Sequence, residues 1–324
     1  MTDILLTEEI VDPSVDELAT RYRLVDEPRL WQDRPALLAH LAGTRAVLVR
    51  NMTRVDREFV DAAPQLRVVG RIGVGLDNLD LRALSERGIV VCYPPEENAV
   101  SVSEHVFALL LSFARHIPAA DRSVRAGRWE RGAYIGFELA GSTMGILGLG
   151  RIGFRVAVRA RAFGMRVLAY DPYLVPQHPA VTETGTELGP LERVLAESDV
   201  VTIHLPLAEE TRGLISADRL RGMKPTALLI NTSRGAIVDE AALYEALRAG
   251  ALGGAALDVR EQEPPGESPL HALPNVLLTP HIASWTHESL RRVISTVTAD
   301  VDGVLSGQPA QSYANFPEPG HTGA

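Results

Sequence analysis

Short apolar runs alternate with longer helical patterns along nearly the whole chain, and this predicts an α/β protein with parallel sheets. Two observations sharpen the expectation. A length of 324 residues suits about two domains, each able to bury a core. A G-x-G-x-x-G run also falls between a strand pattern and a helix pattern, as a nucleotide-binding sheet requires.

In chain order, residues 4–6, 46–49, 67–69 and 89–92 read as the strands of a first sheet, separated by amphipathic or loop segments. Residues 98–115 then form a helical pattern with Val106, Leu109, Leu110 and Phe113 on its apolar side. Ser101 or Ser103 is the expected N-cap, and the helix is expected to connect the domains. Residues 127–139, rich in Gly, Arg and aromatic side chains, lack periodicity and read as an arm between subunits. A second strand series follows at 144–147, 167–170, 200–203, 227–230, 255–257 and 276–278, and six strands fill a dinucleotide-binding sheet. Leu290, Val293, Ile294, Val297 and Val301 mark a helix over 289–305, after which 307–324 read as an ordered edge followed by a loose tail.

Composition narrows the function. Hydrophobic residues at 46% and charged residues at 23% are globular values, which argues against disorder and fibrous folds. Lys and Arg number 32 against 41 Asp and Glu, a net charge of −9 with no basic stripe, so no nucleic-acid partner is expected. The longest apolar stretch, 106–114, is about half a membrane span and is bracketed by Glu104 and Arg115, so no membrane partner is expected. The first ten residues carry Asp3 and Glu8 and no basic region, which is unlike a signal peptide, and the single cysteine, Cys92, suits a reducing compartment. A cytoplasmic location is the expectation. His105, His116, His178, His271, His287 and His321 are scattered without ligand spacing, and no metal site is expected.

By themselves three spaced glycines carry little weight; their surroundings add more. Gly148, Gly150 and Gly153 follow an apolar run and precede Ile152, Val156, Ala160 and Phe163 at helical spacing. Gly148 permits the tight turn, Gly150 lets backbone approach a pyrophosphate, and Gly153 lets helix pack on strand. Arg151 could add charge to the same anion. Eighteen residues beyond Gly153, Asp171 ends the next strand, placed to accept hydrogen bonds from ribose hydroxyls and to disfavour the extra phosphate of NADP.

Several motifs in order then resemble the D-isomer-specific 2-hydroxyacid dehydrogenases, particularly their phosphoglycerate dehydrogenase-like branch. They are V-V-G-R-I-G-V-G-L-D-N-L-D at 68–80, S-V-S-E-H-V-F-A-L-L-L at 101–111, the glycine motif, N-T-S-R-G at 231–235, A-L-D-V at 256–259 and T-P-H-I-A-S at 279–284. The resemblance implies two Rossmann-like or flavodoxin-like domains with parallel sheets, the nucleotide domain inserted in the substrate domain. Its implied boundaries are 1–98 with 285–324 for substrate and 99–284 for NAD, and it implies a homodimer.

Arg234 matches the family's catalytic arginine, whose planar fork grips a 2-oxo acid and polarises its carbonyl. His281 and Glu263 match its acid-base pair, in which the carboxylate orients the imidazole and favours its protonated form. Glu261 competes with Glu263 on sequence, and the Glu-Pro pairing selects Glu263. The resemblance places Asp258 at the nicotinamide carboxamide, with Ile152 in the cofactor turn and His204, Pro206 and Thr211 along the adenosine side. Val74 and Gly75, in the Gly73–Gly75 loop, match a backbone site for the substrate carboxylate. Arg50 falls where relatives place an arginine near the substrate's distal group; it could bind a phosphate, a sulfonate or nothing, and Arg71 shares the ambiguity with a surface role.

The expected function is therefore an NAD-dependent D-2-hydroxyacid dehydrogenase acting on a small 2-hydroxy or 2-oxo acid, phosphoglycerate dehydrogenase-like in type. Glyoxylate/hydroxypyruvate reductase and sulfolactate dehydrogenase are alternatives, and an NAD(H)-sensing corepressor-like protein is a reading from another class. At 324 residues, the C-terminal regulatory domain of many phosphoglycerate dehydrogenases is not expected.

Overall fold

The computed structural model describes residues 2–315, which divide into two compact units, 2–98 with 286–315 and 99–285. The first unit holds five strands, β1 (Ile4–Leu6), β2 (Leu24–Asp26), β3 (Ala46–Val49), β4 (Val68–Arg71) and β5 (Val90–Cys92). They pair in parallel in the order β2-β1-β3-β4-β5, the flavodoxin-like arrangement. Side chains alternate across the sheet: Ile4, Leu6, Leu48 and Val68 pack with the long helix His287–Leu305 on one face. Leu5, Val47, Val49 and Val69 pack with Phe59 and Leu84 on the other. Asp12, Asp33, Asp56 and Asp80 each cap a helix by accepting a first-turn amide, a contribution of about 1 kcal/mol apiece.

The second unit carries β6 (Thr143–Leu147), β7 (Arg166–Tyr170), β8 (Glu187–Leu188), β9 (Val200–Ile203), β10 (Leu228–Asn231), β11 (Gly254–Leu257) and β12 (Val276–Leu278). All pairs are parallel, in the order β12-β11-β10-β9-β6-β7-β8. This is the doubly wound dinucleotide-binding order with one strand added beyond β11. Its direction of winding reverses between β6 and β9, where ligands bind at the carboxyl ends of the strands.

Several local expectations need correction. β2 and β8 were not expected, because Leu24 and Val25 are only half-buried at a sheet edge and β8 has two residues, so neither leaves an apolar run. The helix Ala99–Ala114 begins before both serines proposed as its cap; Ser103 Oγ instead donates back to the Val100 carbonyl at 2.7 Å. Nor is this helix a connector, since Val106, Leu110 and Ala114 lie in the second unit's core with Met144, Ile146 and Val156. The last helix starts at His287, two residues early, because Thr286 caps it by accepting from the Ser289 amide at 3.1 Å.

The expected edge after 307 is present up to Asn315. Tyr313 bridges Cys92 antiparallel, and Asn315 bonds the backbone of Ile89 and Val91. The expected tail from 316 onward, with His321, lies outside the described residues. Among the described residues no helix is long and apolar enough to cross a membrane.

Candidate active site

Gly148 directly follows β6 with φ of +92°, and a Cβ there would lie 2.9 Å from the His204 carbonyl oxygen. A Cβ on Gly153 would lie 2.1 Å from the Gly148 carbonyl oxygen, so glycine is what lets the helix Arg151–Ala162 start against the strand. Gly150 differs: no heavy atom comes within 4 Å of its would-be Cβ, and it caps the helix without a side chain. The helix N-terminus is thus left without a side-chain cap beside open space at Gly150, the arrangement that can receive an anion. Arg151 is exposed at this end, whereas Ile152 is half-buried and packs on the core.

Asp171 follows β7, and its two oxygens accept from the Leu149 and Tyr173 amides, both at 3.0 Å. The carboxylate is thus oriented at the glycine turn. His204 follows β9; burial pushes its imidazole down to about 3, so the ring is neutral, and its Nε2 lies 3.0 Å from Thr202 Oγ1. Thr211 Oγ1 donates to the Pro206 carbonyl at 2.7 Å and accepts from the Ala208 amide at 2.8 Å, which closes the 206–211 loop on itself. Thr232 Oγ1, just after β10, is buried with no hydrogen-bond partner among the described residues. An open glycine cradle, an oriented carboxylate and an orphaned hydroxyl on one sheet edge fit a dinucleotide.

Arg234, Glu263 and His281 all lie in the second unit. Asn231 accepts from the Ser233 amide at 3.0 Å and donates to the Arg234 carbonyl at 2.9 Å, which shapes the turn carrying Arg234. Glu263 Oε2 accepts from His281 Nδ1 at 2.6 Å, and Glu263 Oε1 accepts from the Arg260 amide at 2.9 Å. Burial pushes the Glu263 carboxyl up, but the bonds from His281 and Arg260 and the charges of His281 and Arg234 outweigh it and hold it below its ordinary value. Glu263 is therefore an anion that fixes the imidazole through Nδ1. Glu261 and Glu263 are both exposed as residues, and it is Glu263 that bonds His281.

His281 has φ of +55°, a left-handed conformation that costs a non-glycine residue about 1 kcal/mol or more. Asp258 holds it there. Its carboxylate accepts from Thr279 Oγ1 at 2.6 Å and from the Ile282 and Ala283 amides at 2.9 and 2.8 Å, while its carbonyl accepts from the His281 amide at 2.8 Å. Burial would push this carboxyl up, but the bonds from His105, Thr279, Ile282 and Ala283 pull it to about 2. With its side chain 0% exposed, Asp258 organises the histidine loop. His105, given no role on sequence, stands 3.2 Å from Thr279 Oγ1 and 3.5 Å from Asp258. Its partners arise only when a helix and a distant loop meet.

In the first unit, the loops after β3 and β4 carry the remaining candidates. Arg71 is 7% exposed, which removes the surface reading, and its Nη1 donates to the Ile72 carbonyl at 2.7 Å. A Cβ on Gly73, where φ is +138°, would lie 2.3 Å from Arg71 Nη1, so glycine is needed for this guanidinium to fold over the loop. Val74 and Gly75 are half-buried beside it. Arg50 Nη1 donates to the Glu9 carbonyl at 3.2 Å, and burial lowers its pKa from the usual arginine value. Sequence reasoning missed Glu8, which is 4% exposed and accepts from the Arg50 and Thr53 amides at 2.8 and 2.9 Å and from the Met52 amide at 3.1 Å. Asn78 ties the same loop to the one after β4 by donating to the Arg50 and Thr53 carbonyls at 2.8 and 2.6 Å.

Residues 107–283 match the family model for the D-isomer specific 2-hydroxyacid dehydrogenase NAD binding domain. The chain is 43% identical over 315 residues to the D-3-phosphoglycerate dehydrogenase of Archaeoglobus fulgidus, an alignment covering 97% of this chain and 59% of that protein. It spans between about half and three-fifths of the length of the curated relatives it matches first. Among solved structures, the Thermus thermophilus protein TT0316 superposes with a TM-score of 0.90 at 36% identity, over 96% of this chain and 99% of that one. The Aquifex aeolicus D-lactate dehydrogenase complexed with NAD and lactic acid gives 0.88 at 29% identity, over 98% and 100%.

Proposed function

Because the chain belongs to the D-isomer-specific 2-hydroxyacid dehydrogenase family, we propose that it is an NAD-dependent oxidoreductase interconverting a D-2-hydroxy acid and its 2-oxo acid. The observation that carries this reading is the 2.6 Å bond from His281 Nδ1 to Glu263 Oε2, with the charge of Arg234 acting on the same carboxylate. His281 Nε2 gives its proton to the carbonyl oxygen during reduction and takes it from the hydroxyl during oxidation. Glu263 holds the imidazole in orientation through that cycle. Arg234 binds the acid and favours negative charge as it develops on the carbonyl oxygen.

The cofactor is assigned to the Gly148–Gly153 turn with Arg151 and Ile152, to Asp171, to Thr232, and to the loop carrying His204, Pro206 and Thr211. Bound NAD supplies the site that accepts or donates hydride. Asp171, already oriented by two amides, favours ribose hydroxyls and repels the phosphate of NADP. In the first unit, Val74 and Gly75 are assigned to the substrate carboxylate and Arg50 and Arg71 to an anionic tail. That assignment, together with relatives named D-3-phosphoglycerate dehydrogenase, points to 3-phosphoglycerate as substrate.

The reading includes a homodimer formed by the second unit, whose 127–139 segment exposes Trp129 and Ile135 at 79% and 80%. A cytoplasmic location accords with the single cysteine, Cys92, lying buried in the first sheet. The test is NADH oxidation with phosphohydroxypyruvate, hydroxypyruvate, glyoxylate, pyruvate and sulfopyruvate, compared by kcat/KM. The highest value is expected with phosphohydroxypyruvate. Tight NADH binding without turnover of any of these acids would overturn the enzymatic reading in favour of an NAD(H) sensor.

A further inference from the structure

Glu263 is only as well placed as the backbone that holds it, and that backbone is gripped by a pair outside the reacting groups. Glu240 opens the helix Glu240–Arg248, which Asp239 caps by accepting the Ala242 amide at 2.9 Å. Glu240 Oε1 accepts from Arg260 Nε at 3.1 Å and Oε2 from Arg260 Nη2 at 2.7 Å, a fork-to-fork pair. Glu240 Oε1 also accepts from the Glu261 amide at 2.6 Å. One carboxylate thus grips both the side chain of residue 260 and the peptide that follows it. The Arg260 amide, on the same short stretch, donates to Glu263 Oε1.

The pair is buried, with side-chain exposures of 7% for Arg260 and 19% for Glu240. Arg260 is further held by Ser268 Oγ, 2.9 Å from Nη2, and by His271 Nε2, 3.4 Å from Nη1. On the other side the Arg234 turn presses against the same peptide: a Cβ on Gly235 would lie 1.9 Å from the Arg260 carbonyl carbon. The stretch from Arg260 to Glu263 is therefore wedged between the turn that carries Arg234 and a buried ion pair. Losing either member of such a pair leaves the other charge uncompensated and lets this stretch relax.

We propose that Glu240 and Arg260 are positioning residues that clamp the 260–263 backbone so that Glu263 meets His281, a role resting on the reading of those two as the acid-base pair. Neither side chain touches a reacting atom; both act through Glu263. Glu240→Gln is then expected to lower kcat about tenfold, as loss of a supporting contact around a reactive group does, with KM for the 2-oxo acid and Kd for NADH unchanged. In a Glu263→Gln background the same change is expected to cost less than about twofold, because the group it positions is already gone. Arg260→Lys, which keeps the charge and loses the fork, is the second variant and is expected to behave likewise.

A readout independent of turnover is the proton on His281 Nδ1, identified in the NMR spectrum of the NAD-bound protein as the downfield resonance that Glu263→Gln removes. Breaking the clamp is expected to move that resonance upfield or broaden it. An unchanged resonance in both clamp variants, or losses of kcat that add fully to that of Glu263→Gln, would overturn the proposal. If the unmodified chain turned over no 2-oxo acid, the functional reading would fail while the resonance still decided whether the clamp exists.

Discussion

Replacing Asp258 by Asn removes one acceptor from a carboxylate that serves Thr279, Ile282 and Ala283, with His105 3.5 Å away. The remaining oxygen can still accept from Thr279 Oγ1 and the Ile282 amide, now as a neutral group, while the new Nδ2 faces the Ala283 amide, donor against donor. Loss of a charge-assisted bond together with one stranded buried donor costs about 3 kcal/mol. That cost falls on the 279–283 loop, where His281 already holds a strained φ of +55°. Amide hydrogen exchange at Ile282 and Ala283 should therefore quicken by roughly two orders of magnitude, with kcat falling alongside it.

The sign of the pH dependence follows from the depressed carboxyl of Asp258, about 2 in the fold against an ordinary 3.8. Its stabilisation is complete above the ordinary value and is lost as pH falls through the folded one. The stability difference between parent and variant should therefore shrink by about 2 kcal/mol between pH 5 and pH 2. Urea titrations at both ends of that range measure it. Unaltered exchange at Ile282 and Ala283, or a stability gap that ignores pH, would refute the assignment of Asp258 as the anchor of the histidine loop.

Asp171→Ala should raise the ratio of kcat/KM with NADPH to that with NADH, since the carboxylate oriented by Leu149 and Tyr173 no longer repels a 2′-phosphate; steady-state kinetics with both cofactors reads the ratio. Gly235→Ala places a methyl 1.9 Å from the Arg260 carbonyl carbon and 2.2 Å from the Glu261 amide nitrogen, both backbone atoms that cannot rotate away. Thermal melting should show a loss of about 1–3 kcal/mol or more. Turnover should fall further than stability alone explains, because both Arg234 and Glu263 are displaced.

The parts of this molecule that were legible in the sequence are those where one physical requirement acts locally. Ile146 to Gly153 shows a strand, a turn that no side chain can enter and a helix start within eight residues, and the structure places a Cβ clash behind Gly148 and Gly153. Edge strands were illegible for the opposite reason. Glu187 and Leu188 make a strand of two residues, too short for an alternating pattern to appear in the sequence. The serines before Val106 mimic a cap because their hydroxyls can bond backbone in either setting, and only the helix start at Ala99 decides between them.

Support for the site was harder to read than the site itself. Arg234, Glu263 and His281 stand in motifs, whereas Glu8, His105 and Glu240 acquire meaning from partners 20 or more residues away, and Arg260 chiefly from Glu240. Arg71 stood open between a substrate and a surface role because a guanidinium is seldom buried, and the signal for its burial is the glycine two positions later, which makes room for it.

The central claim is that His281, held by Glu263, moves the proton in reduction of a 2-oxo acid. Single-turnover oxidation of bound NADH by phosphohydroxypyruvate, comparing the unmodified chain with His281→Ala, tests it most directly. A fall in rate of about 10²- to 10⁴-fold with NADH affinity unchanged is the predicted result. A His281→Ala protein that oxidises NADH at the parent rate would contradict the account.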